Sequence, residues 1–174
     1  MSILTFTRSS IIDAPADLLR DWHFEPGTFE KLCPPWEPVR IVEFPGQIQD
    51  GAMAVFEVRL GPLRRKWVAL HQLTDFGFID RQIEGPFAHW EHSHRFETIG
   101  ERRSRLTDTI HYELPLGIVG QVFGNPFVVR KLDRLFRYRH RITAECLDGK
   151  DSASSTRSTG QQSPSLRDAF PHEG

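Results

Sequence analysis

The stretch from Phe87 to Phe96 concentrates side chains that can do chemistry: Phe-Ala-His-Trp-Glu-His-Ser-His-Arg-Phe. Side chains alternate between the two faces of a strand, so one face of this segment holds Trp90, His92, His94 and Phe96. The charged residues fall on the other face, which is therefore the solvent-exposed one. A strand that only fills a core carries Val, Ile or Leu on its inner face. Two inward imidazoles instead indicate a lined cavity, and with it a ligand or a reaction.

The next strand brings a carboxylate opposite these histidines. A turn at residues 100–102 pairs Phe96 with Leu106, and this register places Asp108 opposite His94. An inward Asp beside an inward His fixes the imidazole tautomer and raises its basicity. A slip of one residue turns Asp108 outward and removes the pair. The remaining inward pairs of this register are His92 with Ile110 and Trp90 with Tyr112.

The preceding strand adds two more polar residues near the histidines. Asp80 and Gln82 share one face, and the turn at Gly85-Pro86 returns their strand beside the His segment. The direction of that face is ambiguous, since Ile79 and Ile83 on the opposite face are equally reasonable core residues. If Asp80 and Gln82 point inward, they join the histidines and Asp108 in one polar patch.

Four roles are open for this patch. It can satisfy its own hydrogen bonds and only specify register, or it can orient a small apolar ligand without chemistry. His94 and Asp108 can also act as a catalytic acid/base dyad, suited to proton abstraction beside a carbonyl or to aldol cyclisation and dehydration. Acyl transfer is poorly supported, because no nucleophile motif accompanies the pair.

The fourth role is a metal site of two histidines and one carboxylate. Three such ligands on adjacent strands arise easily by chance, so we predict neither a metal nor a cofactor. Further histidines add no clear ligand spacing: His71, His89 and His111. Three others are predicted at the surface: His23, His140 and His172.

Composition predicts one globular domain. The 174 residues are 39% apolar and 26% charged, which is enough for a substantial core. A net charge of −1 offers no overall electrostatic attraction for nucleic acid. No apolar run reaches the roughly 18 residues of a membrane span, and the N-terminus lacks the pattern of a secretion signal. Cys33 and Cys146 lack metal or redox spacing, so we expect reduced thiols in a cytoplasmic protein.

The elements that position the patch follow the order β-α-α-β×6-α. A first strand over 3–12 precedes two short helices, one from an Asp13 N-cap to about Trp22 and one from Pro26-Gly27 to Cys33. Turn residues at regular intervals then predict an antiparallel meander. Its strands lie near 39–44, 52–60, 65–75, 77–84, 88–99 and 103–113.

A long helix ends the predicted domain. It runs from about Pro126 to Leu147, with Asn125 as its N-cap, and carries an apolar stripe at helical spacing. Residues 148–174 are rich in Ser, Thr, Gly, Gln and Pro, which predicts a disordered polar tail. The domain prediction is therefore 1–147, followed by the tail at 148–174.

This arrangement resembles the START/Bet v 1-like (SRPBCC) superfamily, and within it the bacterial polyketide cyclase/dehydrase-like branch of ligand-binding domains. The resemblance rests on the element order over residues 3–147, on Ala14-Pro15 and Pro34-Pro35-Trp36, and on the segment from Phe78 to Phe96. Asp108 and the region of Arg139 fit the same pattern. It implies an α+β helix-grip fold, in which a curved antiparallel sheet of about seven strands wraps around a long C-terminal helix. It also implies a hydrophobic-ligand cavity, but no single chemistry.

We therefore predict that the protein binds a small hydrophobic or amphipathic molecule between the sheet and the last helix. The alternatives are a cofactor-independent cyclase, dehydratase or isomerase, and a non-catalytic interaction domain with a closed core. No nucleic acid is expected as a partner, and the sequence identifies no protein partner. The predicted polar contacts are Asp80, Gln82, His92, His94 and Asp108. The predicted apolar lining is Trp67, Phe78, Trp90, Phe96, Ile110, Tyr112, Leu132, Leu135 and Phe136.

Overall fold

One antiparallel sheet dominates the computed structural model, which describes residues 3–37, 39–60, 63–115 and 117–158. Three helices accompany it: α1 (Ala16–Phe24), α2 (Thr28–Lys31) and α3 (Gly117–Ser158). The strands are β1 (Leu4–Ile12), β2 (Arg40–Glu43), β3 (Met53–Leu60), β4 (Leu63–Thr74), β5 (Gly77–Glu84), β6 (His89–Gly100) and β7 (Arg103–Glu113). Their order across the sheet is β1-β7-β6-β5-β4-β3-β2, so consecutive strands from β2 to β7 are neighbours. The predicted α+β helix-grip fold is confirmed.

The register between β6 and β7 is the predicted one. Phe96 pairs with Leu106, and His94 pairs with Asp108. Since both strands alternate strictly over this length, every side chain that the pattern assigns to one face lies there. β1 adds to the free edge of β7, with Arg8 opposite Asp108.

The inner face of the sheet is covered at one end by α3 and at the other by α1. Ile110 and Tyr112 pack against Leu132 and Phe136 of α3. A second cluster joins side chains of β1, α1, β5, β6 and β7 to the C-terminal part of α3. Its members include Ile12, Leu19, Trp22, Phe96 and Leu147. Each fully buried side chain of this size contributes about 1.5–3 kcal/mol of hydrophobic stabilisation. The far strands are held by a smaller cluster around Phe56.

The predicted cap of α1 is wrong. Pro15 occupies the N-cap position and no side chain caps the helix. The Asp13 carboxylate instead accepts a hydrogen bond from Arg103 at 3.1 Å, so it is engaged with the β6–β7 end of the sheet. The second short helix is also shorter than predicted, because Gly27 adopts a left-handed φ of 81° directly before Thr28.

The start predicted for the long helix is also corrected. α3 begins at Gly117 and contains Pro126 in its interior. A proline inside a helix removes one N–H donor and clashes with the carbonyl four residues earlier, at a local cost of about 3 kcal/mol, yet α3 continues through Pro126. The Asn125 side chain does not cap the helix, because its Oδ1 accepts a hydrogen bond from the Tyr112 hydroxyl.

The helix also continues beyond the predicted boundary at Leu147. Leu147 is fully buried, and the helical backbone extends from it to Ser158. Extending an existing helix costs little free energy, because each added residue gains one hydrogen bond. The division into a domain at 1–147 and a tail at 148–174 stays a prediction, and residues 159–174 lie outside the described residues. Within the described chain, no helix combines the length and apolarity needed to cross a membrane.

Candidate functional site

Two carboxylates form the centre of a buried polar cluster, and Asp108 of β7 is the deeper one. Its Oδ1 lies 2.8 Å from His92 Nε2 and 2.8 Å from His94 Nδ1, both on β6. Its Oδ2 accepts a hydrogen bond of 2.7 Å from His140 Nε2 on α3. Burial alone raises the pKa of Asp108, but the His94 charge and these three contacts hold that pKa well below its usual value. Asp108 is therefore an ionised, fully engaged acceptor.

His140 is a site residue that the sequence analysis wrongly assigned to the surface. Its side chain is buried, and Nδ1 lies 2.8 Å from the Ser10 hydroxyl of β1. It follows Leu132 and Phe136 at intervals of four along α3, which is the helical spacing of the inner face. That spacing could have identified His140 before the structure was known.

His23 is likewise buried rather than exposed. It lies one turn after Leu19 on the inner face of α1, and its Nδ1 donates to the Leu19 carbonyl at 2.8 Å. Its ring packs 4.8 Å from the ring of Phe96. Burial lowers the pKa of His23 to about 4, so the ring is neutral at pH 7. His172 lies outside the described residues.

Asp80 of β5 points inward, the direction that the strand pattern left open. Its Oδ2 lies 3.2 Å from His94 Nε2 and 4.0 Å from His92 Nδ1, and its Oδ1 lies 3.3 Å from His71 Nε2 of β4. Burial raises the pKa of Asp80, but the hydrogen bond and charge of His94 outweigh burial and lower it. Gln82 instead holds the β5–β6 turn, since its amide donates to the Phe87 carbonyl at 2.8 Å.

His94 bridges the two carboxylates and stacks on Phe78, with ring centroids 4.0 Å apart. Burial lowers its pKa, but the negative charges of Asp108 and Asp80 raise it to about 9. His92 shows the opposite balance: burial and the His94 charge lower its pKa to about 4, despite its hydrogen bond to Asp108. Without a bound ion, His94 is thus charged at pH 7 and His92 is neutral.

Two cavities lie beside this cluster. The main cavity, between the sheet and α3, has a volume of about 230 Å³ and an aromatic wall that includes Trp67, Trp90 and Phe136. A smaller cavity of about 70 Å³ reaches toward α1 and α2. Asp80 and Arg139 line both cavities, so they lie at the boundary between the two. A closed core, the premise of the interaction-domain alternative, does not match this arrangement.

The predicted ligand contacts divide into three groups. The main cavity is lined by Trp67, Asp80, Trp90, His92, Leu132, Leu135 and Phe136. The smaller cavity is lined by Phe78, Asp80 and His94. The predicted contacts that line neither of these two cavities are Gln82, Phe96, Asp108, Ile110 and Tyr112. Phe96, Asp108, Ile110 and Tyr112 are buried beneath neighbouring side chains, whereas Gln82 is half-buried and engaged with the β5–β6 turn.

Arg139 is a cavity residue that was not among the predicted ligand contacts, although its region fits the family pattern. Its Nε donates to the Leu32 carbonyl at 3.2 Å, and its guanidinium carbon lies 5.3 Å from the centre of the Phe136 ring. Among the described residues, no carboxylate forms an ion pair with it. A positive group that forms no ion pair with any carboxylate of the described chain therefore borders both cavities.

The cluster contains one group of side chains that could hold a metal ion. One ligand atom from each of Asp80, His92 and His94 can be chosen so that all three lie within 4.8 Å of one another. Imidazole and carboxylate are suitable ligands for several first-row divalent metals.

The gripped helix, the curved sheet and the cavity between them define a helix-grip protein of the START/Bet v 1 superfamily. Residues 12–135 match the family described as "Polyketide cyclase / dehydrase and lipid transport", and the chain belongs to that family. Among curated proteins, none matches the chain.

Several solved structures are similar to this one. A nucleoside-diphosphate sugar epimerase from Corynebacterium glutamicum is 25% identical, with a TM-score of 0.62, over 86% of this chain. This chain spans only 30% of the length of that epimerase. The Zhui aromatase/cyclase from Streptomyces sp. R1128 is 17% identical over 92% of this chain and 100% of its own, with a TM-score of 0.56. A norcoclaurine synthase point mutant from Thalictrum flavum is 13% identical over 87% of this chain and 99% of its own, with a TM-score of 0.65. The aromatase/cyclase and the norcoclaurine synthase share the fold of this chain.

Proposed function

We propose that this protein binds a small amphipathic molecule, with an aromatic or apolar body, in the main cavity. The observation that carries the proposal is the composition of the cavity wall, which is largely apolar and aromatic and includes a few polar side chains, among them Asp80, His92 and Arg139. Binding sites for small molecules have this character: mostly apolar walls with a few polar groups that orient the ligand. A volume of about 230 Å³ suits a molecule of one or two rings.

The polar side chains of the cavity favour a ligand with an oxygen-bearing end. Arg139 supplies N–H donors in a fork that matches a carboxylate or a similar anionic oxygen. Asp80 offers a carboxylate acceptor to a ligand hydroxyl. Lys131 also lines the cavity, but it is already paired with Glu37. The ligand class proposed is therefore an aromatic or apolar acid, or a hydroxylated analogue of one.

Filling the cavity tests this proposal. Leu135→Trp enlarges a half-buried residue of the cavity wall, whereas Val129→Trp adds the same side chain at an exposed position of the same helix. The readouts are native mass spectrometry of protein purified under mild conditions and quenching of tryptophan fluorescence by a panel of aromatic acids. We expect the Leu135→Trp protein to lose binding and the Val129→Trp protein to keep it. If the unsubstituted protein is empty and stays empty with the whole panel, the binding proposal fails.

A second candidate function is acid/base catalysis of a cyclisation, dehydration or isomerisation. The observation that favours it is the Asp80 carboxylate, which borders both cavities and contacts His94. Asp108 lines neither of these cavities, so in this role it positions His94 and does not touch the substrate. A catalyst of this kind exchanges a proton beside the carbonyl of a bound ketone. If Asp80→Asn abolishes deuterium incorporation into the bound ketone while binding persists, catalysis is supported. An equal exchange rate in the Asp80→Asn and unsubstituted proteins rejects catalysis.

A further inference from the structure

Three histidines around Asp80 each have one ring nitrogen next to an acceptor. His92 Nε2 and His94 Nδ1 both lie 2.8 Å from Asp108 Oδ1, and His71 Nδ1 lies 3.2 Å from the Ala52 carbonyl oxygen. Carboxylate and carbonyl oxygens only accept hydrogen bonds, so these ring nitrogens carry the hydrogens. In a neutral imidazole the other nitrogen then presents a lone pair.

Those remaining nitrogens all turn toward the Asp80 carboxylate. His94 Nε2 lies 3.2 Å and His92 Nδ1 4.0 Å from its Oδ2, while His71 Nε2 lies 3.3 Å from its Oδ1. A lone pair that faces a carboxylate repels it unless a cation lies between them, and in the metal-free protein the hydrogen on His94 Nε2 fills that role only between His94 and Asp80 Oδ2. In addition, Asp80 Oδ1 is buried and has no hydrogen-bond partner within the described chain. The arrangement therefore calls for positive charge at this position.

A metal ion satisfies more of these groups than a proton does. One proton bridges a single nitrogen–oxygen pair, whereas a metal ion accepts several lone pairs at once. Histidine ligands of metals characteristically donate their other N–H to a carboxylate or a backbone carbonyl, which fixes the tautomer and the ring orientation. Asp108 provides that acceptor for both His92 and His94.

We propose that Asp80, His92 and His94 bind one divalent transition-metal ion, with His71 Nε2 directed at the same carboxylate. Two imidazoles and a carboxylate favour ions such as Zn²⁺, Co²⁺ or Fe²⁺ over Mg²⁺ and Ca²⁺, which prefer oxygen ligands. Three protein ligands leave coordination positions open. His92 borders the main cavity and His94 the smaller one, so the open positions face the space where a ligand would bind. The metal site does not depend on the proposed function.

The test uses the full chain without an affinity tag, stripped by a chelator and titrated with Zn²⁺ by calorimetry and with Co²⁺ by visible absorption. We expect one ion per chain, and a Co²⁺ spectrum with nitrogen and oxygen ligands. Asp80→Asn and His92→Gln should each weaken Zn²⁺ binding by at least about tenfold. The matched control is His111→Gln, because His111 lies outside the cluster and contacts Thr5.

Absence of Zn²⁺ and Co²⁺ binding to the unsubstituted protein overturns the proposal, as does binding that neither substitution weakens. Circular dichroism shows whether each variant is folded. If the variants unfold, X-ray absorption at the zinc edge of the unsubstituted protein counts the imidazole ligands of the bound ion. Fewer than two imidazole ligands also overturns the proposed site.

Fluorescence titration of the metal-free protein with aromatic acids separates the metal-site proposal from the proposed function. Acid binding without metal binding rejects only the metal site, and the reverse result rejects only the cavity ligand.

Discussion

At the scale of single residues, the two buried aspartates have different roles. Asp108 has both oxygens engaged by histidines, while Asp80 keeps Oδ1 without a hydrogen-bond partner among the described residues. Asp108 therefore organises the cluster, and Asp80 is the carboxylate with capacity left for a ligand or an ion. Both reach the same cluster although they lie on different strands, because only β6 lies between β5 and β7.

Substitution of the two aspartates should separate structure from binding. In Asp108→Asn the new amide cannot accept from all three histidines, so we expect the free energy of unfolding to fall by on the order of 3 kcal/mol. Asp80→Asn replaces a carboxylate with fewer hydrogen bonds and should cost about 1 kcal/mol. Urea unfolding of the two variants measures the difference. Equal losses would show that Asp108 does not have the organising role.

His23 should make stability depend on pH. Its pKa is about 4 in the folded protein against 6.5 ordinarily, so the unfolded chain binds a proton first as the pH falls. The neutral His23 ring therefore makes its full contribution to the free energy of unfolding above pH 6.5. That contribution decreases as the pH falls to 4, by roughly 3 kcal/mol in total. The charged or titratable groups facing His23 are His94 of β6, Asp108 of β7 and His140 of α3.

The contribution of His23 is the difference between two pH profiles. His23→Leu removes the titrating ring and should flatten the dependence of urea midpoint on pH between 4 and 6.5 relative to the unsubstituted protein. His111→Leu removes a half-buried histidine of β7 whose ring contacts Thr5, and its profile should stay close to the original. A His23→Leu profile as steep as the original would contradict the assignment.

At the scale of elements, α3 serves both the core and the site. Its inner face places Leu132, Phe136, His140, Thr143 and Leu147 in the interior at intervals of three or four residues. The first two line the main cavity, His140 binds Asp108, and Leu147 packs near α1. One helical face thus couples the stability of the fold to the geometry of the cluster.

Removing a large side chain from the inner face of α3 should lower the free energy of unfolding. Phe136→Ala removes a fully buried ring and should lower the free energy of unfolding by about 3–5 kcal/mol. Phe127→Ala removes the same side chain from an exposed position of α3 and should change it by less than about 0.5 kcal/mol. Denaturant unfolding of both proteins checks the pair, and similar losses would mean that α3 does not pack as described.

The start of β5 depends on the absence of a side chain. A Cβ atom at Gly77 would lie 2.0 Å from the backbone oxygen of His94, so the two strands could not keep their approach. We expect Gly77→Ala to destabilise the protein by at least about 2 kcal/mol and to perturb the environment of His94. At Gly100 the nearest atom would be 3.8 Å away, so Gly100→Ala serves as the control. NMR of the His94 ring and thermal unfolding measure both effects; a Gly77→Ala protein as stable as the control would contradict the expectation.

At the scale of the whole molecule, the sheet and α3 enclose a cavity that neither could form alone. The far strands β3 and β4 contribute Phe56 and Trp67 to its wall, and α3 contributes Phe136 from the opposite side. α1 and α2 bound the smaller cavity with His23 and Phe29. This arrangement explains why a family match over residues 12–135 specifies a binding architecture without specifying one reaction.

The sequence by itself determined the strands, the antiparallel meander from β2 to β7 and the register of the central hairpin, but not the place of β1 beside β7. Alternation and turn residues are local signals, and they sufficed to place Asp108 opposite His94. Only the tertiary structure decided the direction of Asp80 and brought His71, His140 and Arg139 to the same region. Those residues come from β4, β5 and α3, and which face of an element is buried depends on what packs against it. Local pattern therefore located His92, His94 and Asp108, and the packing of other elements against them completed the cluster.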